Sequence, residues 1–393
     1  MLTRAGWAVA LGALVTIGAG RVLGLPELAV LGTTALVLVA AAVVRVRRPL
    51  PDLHVTRTVH PGRVPVGGRS RVELVVANRG RRRTPLLTLH DPVAGTIGAR
   101  VALAPLASGA SQSASYRLPT DRRGVVQIGP LSVARTDAFG LARRSTEVVG
   151  TDGLTVLPAI SPLRGRGVGS GLDDPLAGLS QARAGGAGNE DFSTLRPYVV
   201  GDDLRRIHWA SSARAGDLLV RQDDPPWRGH VTVLLEARTD RTDPERFELA
   251  VTAAASILHA AARQADRARL IITDGTDTGL VDARAASDLL LEHLALVVRH
   301  EGGGLPDTPA DGRSRTGSLV LLSGSPTAGD VARLTAHRGR FATVRVVVFD
   351  PPSGTPAALP GLAPGVEVVR VDDAHPFPAA WDLASRRAPG SRP

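Results

Sequence analysis

Apolar and polar positions along this chain change rhythm three times. From Ala5 to Gly20, and again from Leu28 to Val44, no charged residue occurs. Each run is near the shortest that spans a bilayer as a helix, and Arg21 can extend the first by snorkelling. Pro26, in the "RVLGLPE" stretch between them, breaks the helix. Residues 1–48 therefore predict two transmembrane helices in a tight hairpin. A second apolar run following at once argues against a cleaved signal peptide. Arg4 precedes the first span, Arg45, Arg47 and Arg48 follow the second, and Arg21 in the turn is balanced by Glu27. The positive-inside rule then expects both ends, and everything after residue 48, on the cytoplasmic side of the cell membrane.

Residues 53–158 change to short apolar runs punctuated by Gly, Pro and Asn. "SRVELVVANRG" (70–80), "ASYRLP" (114–119), "GVVQIGPLSVAR" (124–135) and "LTVLP" (154–158) read as strands, and no helical period of useful length appears. An antiparallel β-sandwich is expected. "TDAFGLARR" (136–144) reads as a turn, with Gly140 supplying a positive φ next to Asp137 and Phe139. Residues 164–190 hold eight glycines and predict a linker.

Over 191–386 strands alternate with helices. "HVTVLLEA" (230–237), "ARLIITDG" (268–275), "SLVLLSG" (318–324), "TVRVVVFD" (343–350) and "VEVVRV" (366–371) are continuously apolar or nearly so. Asp243 and Pro244 open a helix with the stripe Phe247, Val251, Ala254, Leu258 and Ala261. A second helix is expected over 283–298 through Ala286, Leu289, Leu290, Leu294 and Val297, and a short one near 328–337. Such alternation implies a parallel sheet covered on both faces. Residues 387–393 read as a disordered tail. The fold class is thus multidomain: a helical hairpin, a β-sandwich and an α/β domain of Rossmann-like kind.

The chain has no cysteine, which excludes disulfides, thiol nucleophiles and thiolate metal sites. A net charge of +10 raises nucleic acid as a partner. The arginines are spread along the chain and aromatics make up only 3%, so no stacking platform is expected and the membrane surface accounts better for the excess. No Ser-His-Asp order, phosphate-binding glycine loop or His-rich metal spacing occurs.

The densest polar stretch is "LRPYVVGDDLRRIHWASSARAGDLLVRQ", residues 195–222. Asp202, Asp203 and His208 could form a metal or acid–base cluster. Arg196, Arg205, Arg206 and Arg214 offer the acids another fate, because guanidinium forks bind carboxylates bidentately. A structural Asp–Arg network is the preferred expectation, with Tyr198 and Trp209 covering the ion pairs and packing on the core. An exposed docking surface comes second and catalysis third.

This stretch, from "GAGNEDF" onward, resembles the signature of the domain of unknown function 58 family. The matching positions include Asp191, Phe192, Arg196, Tyr198, Gly201, Asp202, Asp203, Arg205, Ile207, Trp209, Ala213, Arg214 and Arg221. The resemblance implies a membrane-anchored protein with a von Willebrand factor A-like α/β domain. It also implies partnership with a MoxR-type AAA+ ATPase, with a transglutaminase-like membrane protein as a further partner. Domains of that type often hold a divalent metal through Asp-x-Ser-x-Ser after the first strand. Glu236, Arg238 and Asp240 stand at those places here, so a degenerate site without metal or cofactor is expected. "TDG" (273–275) resembles the later loop of such sites but comes too early in the chain, and "LLSGS" offers no acid. A non-enzymatic scaffold or adaptor is the expected function. The alternative is a metal-dependent hydrolase at the cytoplasmic membrane face.

Overall fold

The computed structural model describes residues 2–49, 52–164, 194–199, 207–222, 229–306, 317–350 and 365–387. The 164–190 linker, apart from its first residue, and the tail after Arg387 lie outside them. The chain divides into two compact units, Met1–Leu157 and Pro158–Pro393.

The first unit begins with helices α1 (Arg4–Val22) and α2 (Pro26–Arg47). Thr3 caps α1 by accepting the Gly6 amide, and Pro26 opens α2 where a missing N–H costs nothing. Both helices are long and apolar enough to cross a membrane. Their contact is made through small residues. A Cβ at Gly32 would lie 2.6 Å from Ile17 Cγ1 and 2.7 Å from the Ala13 carbonyl, so only glycine lets the backbones come this close. Leu11, Leu14, Val15, Val30, Leu31 and Val37 point outward, each more than half exposed.

Ten strands follow: β1 (Leu53–His60), β2 (Arg63–Pro65), β3 (Arg71–Asn78), β4 (Leu87–Asp91), β5 (Ala99–Leu103), β6 (Ser111–Arg117), β7 (Gly124–Ile128), β8 (Leu131–Thr136), β9 (Arg143–Val149) and β10 (Asp152–Leu157). They form sheets ordered β1-β3-β6, β2-β10-β7 and β5-β4-β8-β9. One core, including Val72, Leu74, Leu89, Ile128, Val133 and Leu154, draws side chains from all three, which makes the unit β-sandwich-like. The single strand expected over 124–135 is two, separated at Gly129, whose φ of +99° turns the chain out of the extended course of β7. β1, β4, β5 and β9 carry His, Thr or Arg on their outward positions, which diluted the apolar signal read from the sequence. The 136–144 turn forms as expected. Asp137 accepts the amides of Phe139 (2.9 Å) and Ala142 (2.5 Å), and Gly140 has φ +71°.

In the second unit β11 (Thr194–Pro197) pairs antiparallel with β12 (Leu219–Gln222), and helix α3 (Trp209–Ala215) lies between them in sequence. Strands β13 (His230–Leu235), β14 (Arg267–Ile272), β15 (Val281–Asp282), β16 (Ser318–Ser323), β17 (Thr343–Phe349) and β18 (Val366–Val371) form one sheet, ordered β15-β14-β13-β16-β17-β18. All pairings are parallel except that of the short edge strand β15. Inner strands β13, β16 and β17 are buried at successive residues, so both faces of the sheet are covered.

Helix α4 (Pro244–Gln264) begins where Asp243 and Pro244 predict, with Asp243 accepting the amides of Glu245 and Arg246. Its whole expected stripe is buried. Helix α5 (Ser287–Leu296) is shorter than expected and rotated. Leu291 is buried and Leu289 is 49% exposed, because α5 packs Leu290, Leu291 and Leu294 inward together. Helix α6 (Ala328–Ala336) follows β16. Helix α7 (Phe377–Arg387) is absent from the sequence expectations. It closes the fold with Trp381, 1% exposed, under the Arg345 guanidinium at 4.9 Å.

Candidate functional site

The order of the large sheet places a topological switch between β13 and β16. The chain leaves β13 for β14 on one side, and later runs β16, β17, β18 on the other. In open parallel sheets the crevice beyond the carboxyl ends of such strands is where ligands bind. Here a side chain fills it. Glu236, one residue past β13, is 1% exposed and donates its amide to the Leu322 carbonyl on β16. Its carboxylate takes a fork from Arg238: Nε donates to Oε1 at 2.8 Å and Nη2 to Oε2 at 2.5 Å. Nη2 also reaches Asp330 Oδ2 at 3.4 Å, and Nη1 donates to the Gly303 carbonyl at 3.2 Å. Its hydrogen bonds to Glu236 hold the Arg238 guanidinium above its ordinary range, against the opposing effect of burial.

Asp330 was not foreseen as part of this site. It lies in the first turn of α6, where it forms a capping box: its Oδ2 accepts the Thr327 amide at 2.9 Å and Thr327 Oγ1 accepts its own. The cap was legible in the sequence, but its proximity to Arg238, 92 residues away, was not. Thr273, set aside on chain order, also sits at this crevice. Its hydroxyl accepts the Ala237 amide at 2.9 Å and stands 3.1 Å from His300 Nε2. Asp240 does not join. Its side chain is 59% exposed and pairs with Arg241. Two carboxylates share one fixed guanidinium, which already sits where a cation would have to stand. A divalent ion would have to displace Arg238, so these residues do not fit one.

Most of the expected Asp–Arg network lies outside the described residues. Gly201, Asp202, Asp203, Arg205 and Arg206 lie outside the described residues, and of Arg196 only its backbone pairing with Val220 is described. Tyr198 is half-buried, its amide bonded to the Leu218 carbonyl. His208 caps α3: its Nδ1 accepts the Ser211 amide at 3.2 Å, which removes that nitrogen from general-base duty. Ile207 and Val220 form a buried bridge.

Two expectations need correction. Trp209 does not pack on the core but is 66% exposed. The helix is held to β12 by a small group instead, Ser212 Oγ, which donates to the His208 carbonyl and accepts the Leu219 amide at 2.9 Å. Arg214 is exposed rather than buried in an ion-pair network. It follows Ser212 by two residues, roughly half a helical turn, and so faces the other way.

These elements define a doubly wound α/β domain preceded by an antiparallel ribbon, in a chain that also carries a β-sandwich-like unit and two long apolar helices. Residues 194–372, from the ribbon through the last strand, match the model of a family described as Protein of unknown function DUF58. A search of the curated proteins found no match. Among solved structures, the CARDB domain of the PF1109 protein from Pyrococcus furiosus is 19% identical with a TM-score of 0.23, covering 27% of this chain and 94% of that one. A β-glucosidase, EmGH1, from Erythrobacter marinus is 14% identical with a TM-score of 0.19, covering 27% of this chain and 15% of that one.

Proposed function

We propose that the chain is a membrane-anchored, non-enzymatic adaptor that works with a MoxR-type AAA+ ATPase, and with a transglutaminase-like membrane protein as a further partner. Its α/β domain is of von Willebrand factor A type with the metal position taken by Arg238. The observation that carries the non-enzymatic reading is the Glu236–Arg238–Asp330 cluster. It stands at the carboxyl ends of β13 and β16, where such a sheet would hold a ligand, and both oxygens of Glu236 are taken by Arg238.

Docking is supported by what the ribbon and α3 expose. Trp209 is 66% exposed, Val199 62% and Leu218 43%. Backbone bonds from Tyr198 to Leu218 and from His208 to Leu219 bring these residues to one end of the ribbon. Grouped apolar side chains on a soluble face mark interaction sites, and tryptophan is enriched among residues that dominate binding. Trp209→Ala in the full chain is expected to weaken capture of the purified ATPase by about 30-fold, the equivalent of ~2 kcal/mol. The melting temperature should stay within a degree or two of wild type. Unchanged capture would move the docking face elsewhere.

The arginines at Arg4, Arg45, Arg47 and Arg48 support an orientation with the β-sandwich-like and α/β units in the cytoplasm. Because the chain has no cysteine, single cysteines report cleanly. Leu23→Cys in the hairpin turn is expected to react with an impermeant thiol reagent in intact cells, and Ile97→Cys is expected to react only after lysis. The reverse pattern would exclude a cytoplasmic partner.

A further inference from the structure

The β8–β9 end of the sandwich-like unit is tied to both helices at once. Thr3, at the start of α1, donates its amide to the Leu141 carbonyl at 2.9 Å and its hydroxyl to the Gly140 carbonyl at 2.6 Å. At the end of α2, Arg135 Nη1 reaches the carbonyls of Arg45 (3.4 Å) and Arg48 (3.3 Å), and Arg144 Nη1 donates to that of Arg47 at 2.9 Å. Val39, Ala42, Val46, Leu141 and Ala142 form the apolar seam of this junction. Beside the seam is a cavity of about 340 Å³ lined by Val43, Val46, Ala142, Arg47 and Arg144.

Among the described residues no carboxylate pairs with Arg135 or Arg144 at this junction. Main-chain carbonyls at a helix C-terminus offset only part of a guanidinium charge. The nearby carboxylate of Asp137 is already engaged by two backbone amides. Arg135 Nε is buried and has no hydrogen-bond partner among the described residues. Burial, and then the positive charges of Arg45, Arg48 and Arg144, hold the Arg135 guanidinium below its ordinary range. An anion placed beside these arginines would relieve the repulsion.

The surroundings specify which anion. The floor of the cavity, Val43 and Val46, continues onto the outward face of α2, where Val44 is 60% and Val37 62% exposed. Phe139, next to the Gly140 that Thr3 holds, is 67% exposed, as an aromatic at a membrane–water boundary would be. We propose that this cavity binds the phosphate of an acidic phospholipid between Arg47 and Arg144, with an acyl chain lying along Val43 and Val46, while Arg135, bonded to the same helix end, adds its charge to the site. Basic residues just beyond a membrane helix attract anionic lipid at about 1 kcal/mol each, and a cavity with an apolar floor makes that attraction a site. The inference rests on the membrane-anchored reading.

The full chain, purified in mild detergent, would be mixed with phosphatidylglycerol, with phosphatidylcholine or with inorganic phosphate, and retained ligand counted by native mass spectrometry. Phosphatidylglycerol is expected to be retained at least tenfold over phosphatidylcholine. Arg135→Gln with Arg144→Gln should bring the two lipids level, whereas Arg100→Gln, an exposed arginine on β5, should change nothing. If the double variant unfolds, Arg144→Gln alone, at an exposed position, is expected to remove most of the preference. Equal retention of the two lipids by the wild type would overturn the proposal, as would a site that retains inorganic phosphate while showing no lipid preference. An alkaline carbonate wash of native membranes tests the anchoring separately. Release of the chain would remove the anchoring reading itself, whereas retention with no lipid preference removes only this proposal.

Discussion

Glu236→Ala lowers the stability of the α/β domain by about 3–5 kcal/mol, because it strips a buried guanidinium of its bidentate partner. For a domain of this size that is a fall in melting temperature on the order of 10 °C. Arg238→Ala should cost at least as much, since it leaves Glu236 and Asp330, 1% and 6% exposed, as neighbouring carboxylates without a cation. The double change Glu236→Met with Arg238→Met is expected to recover most of the loss. A well-packed apolar pair often replaces a buried ion pair without penalty, and Asp330 keeps the Thr327 amide as a partner. Millimolar Mg²⁺ should leave the wild-type transition where it is, because a ligand raises stability only by binding the native state. Scanning calorimetry of the full chain reads all four results. A Glu236→Ala protein as stable as wild type, or a clear Mg²⁺ shift in the wild type, would show that Arg238 does not close the site.

The second large effect is expected inside the β-sandwich-like unit, where Arg57 occupies a core position. β1 alternates with Leu53, Val55, Arg57 and Val59 inward, and the Arg57 side chain is 0% exposed. Its Nη1 bonds Asp91 Oδ1 at 2.8 Å, its Nε bonds Asp152 Oδ2 at 2.9 Å, and Nη2 donates to the Gly150 carbonyl. Tyr116 donates its hydroxyl to the other oxygen of Asp91 at 2.6 Å. Gly129 makes room, since a Cβ there would stand 2.6 Å from Arg57 Nη1.

Asp91→Ala should therefore cost about 3–5 kcal/mol through the stranded guanidinium, and the freed phenol adds to that. Tyr116→Phe should cost about 1–1.5 kcal/mol. Asp152→Ala, at a carboxylate 48% exposed, should cost no more than about 1 kcal/mol. Equal costs for Asp91 and Asp152 would contradict the buried geometry.

The same network has a pH signature. Burial first, and then the bond to Asp91, push the Tyr116 phenol well above its usual value. The unfolded chain releases that proton near pH ~10 while the folded one holds it. This contribution to stability is complete below that pH and is lost as pH rises above it. Tyr116→Phe should flatten the alkaline decline.

Local periodicity decided much of this protein. The two uncharged runs, Pro26 between them, the Asp243–Pro244 helix start and the continuously apolar strands from His230 onward were all legible, because each is a property of neighbouring residues. The same period of two put Arg57 on the inward face of β1, yet nothing local says that an arginine is tolerated there. That was decided by Asp91, 34 residues on, and by a glycine at position 129. Glu236 and Arg238 stand two residues apart in the sequence, but the third member of their cluster came from α6 and its neighbour Thr273 from just past β14. Trp209 and Arg214 were misplaced for a related reason. Their residue types suggested burial and pairing, but Trp209 is exposed in the fold and Arg214 sits on the far side of α3 from the Ser212 contact with β12. Sequence determines which segments are apolar and with what period. Which charges meet, and which aromatic stays outside, depends on distances across the fold that no spacing along the chain encodes.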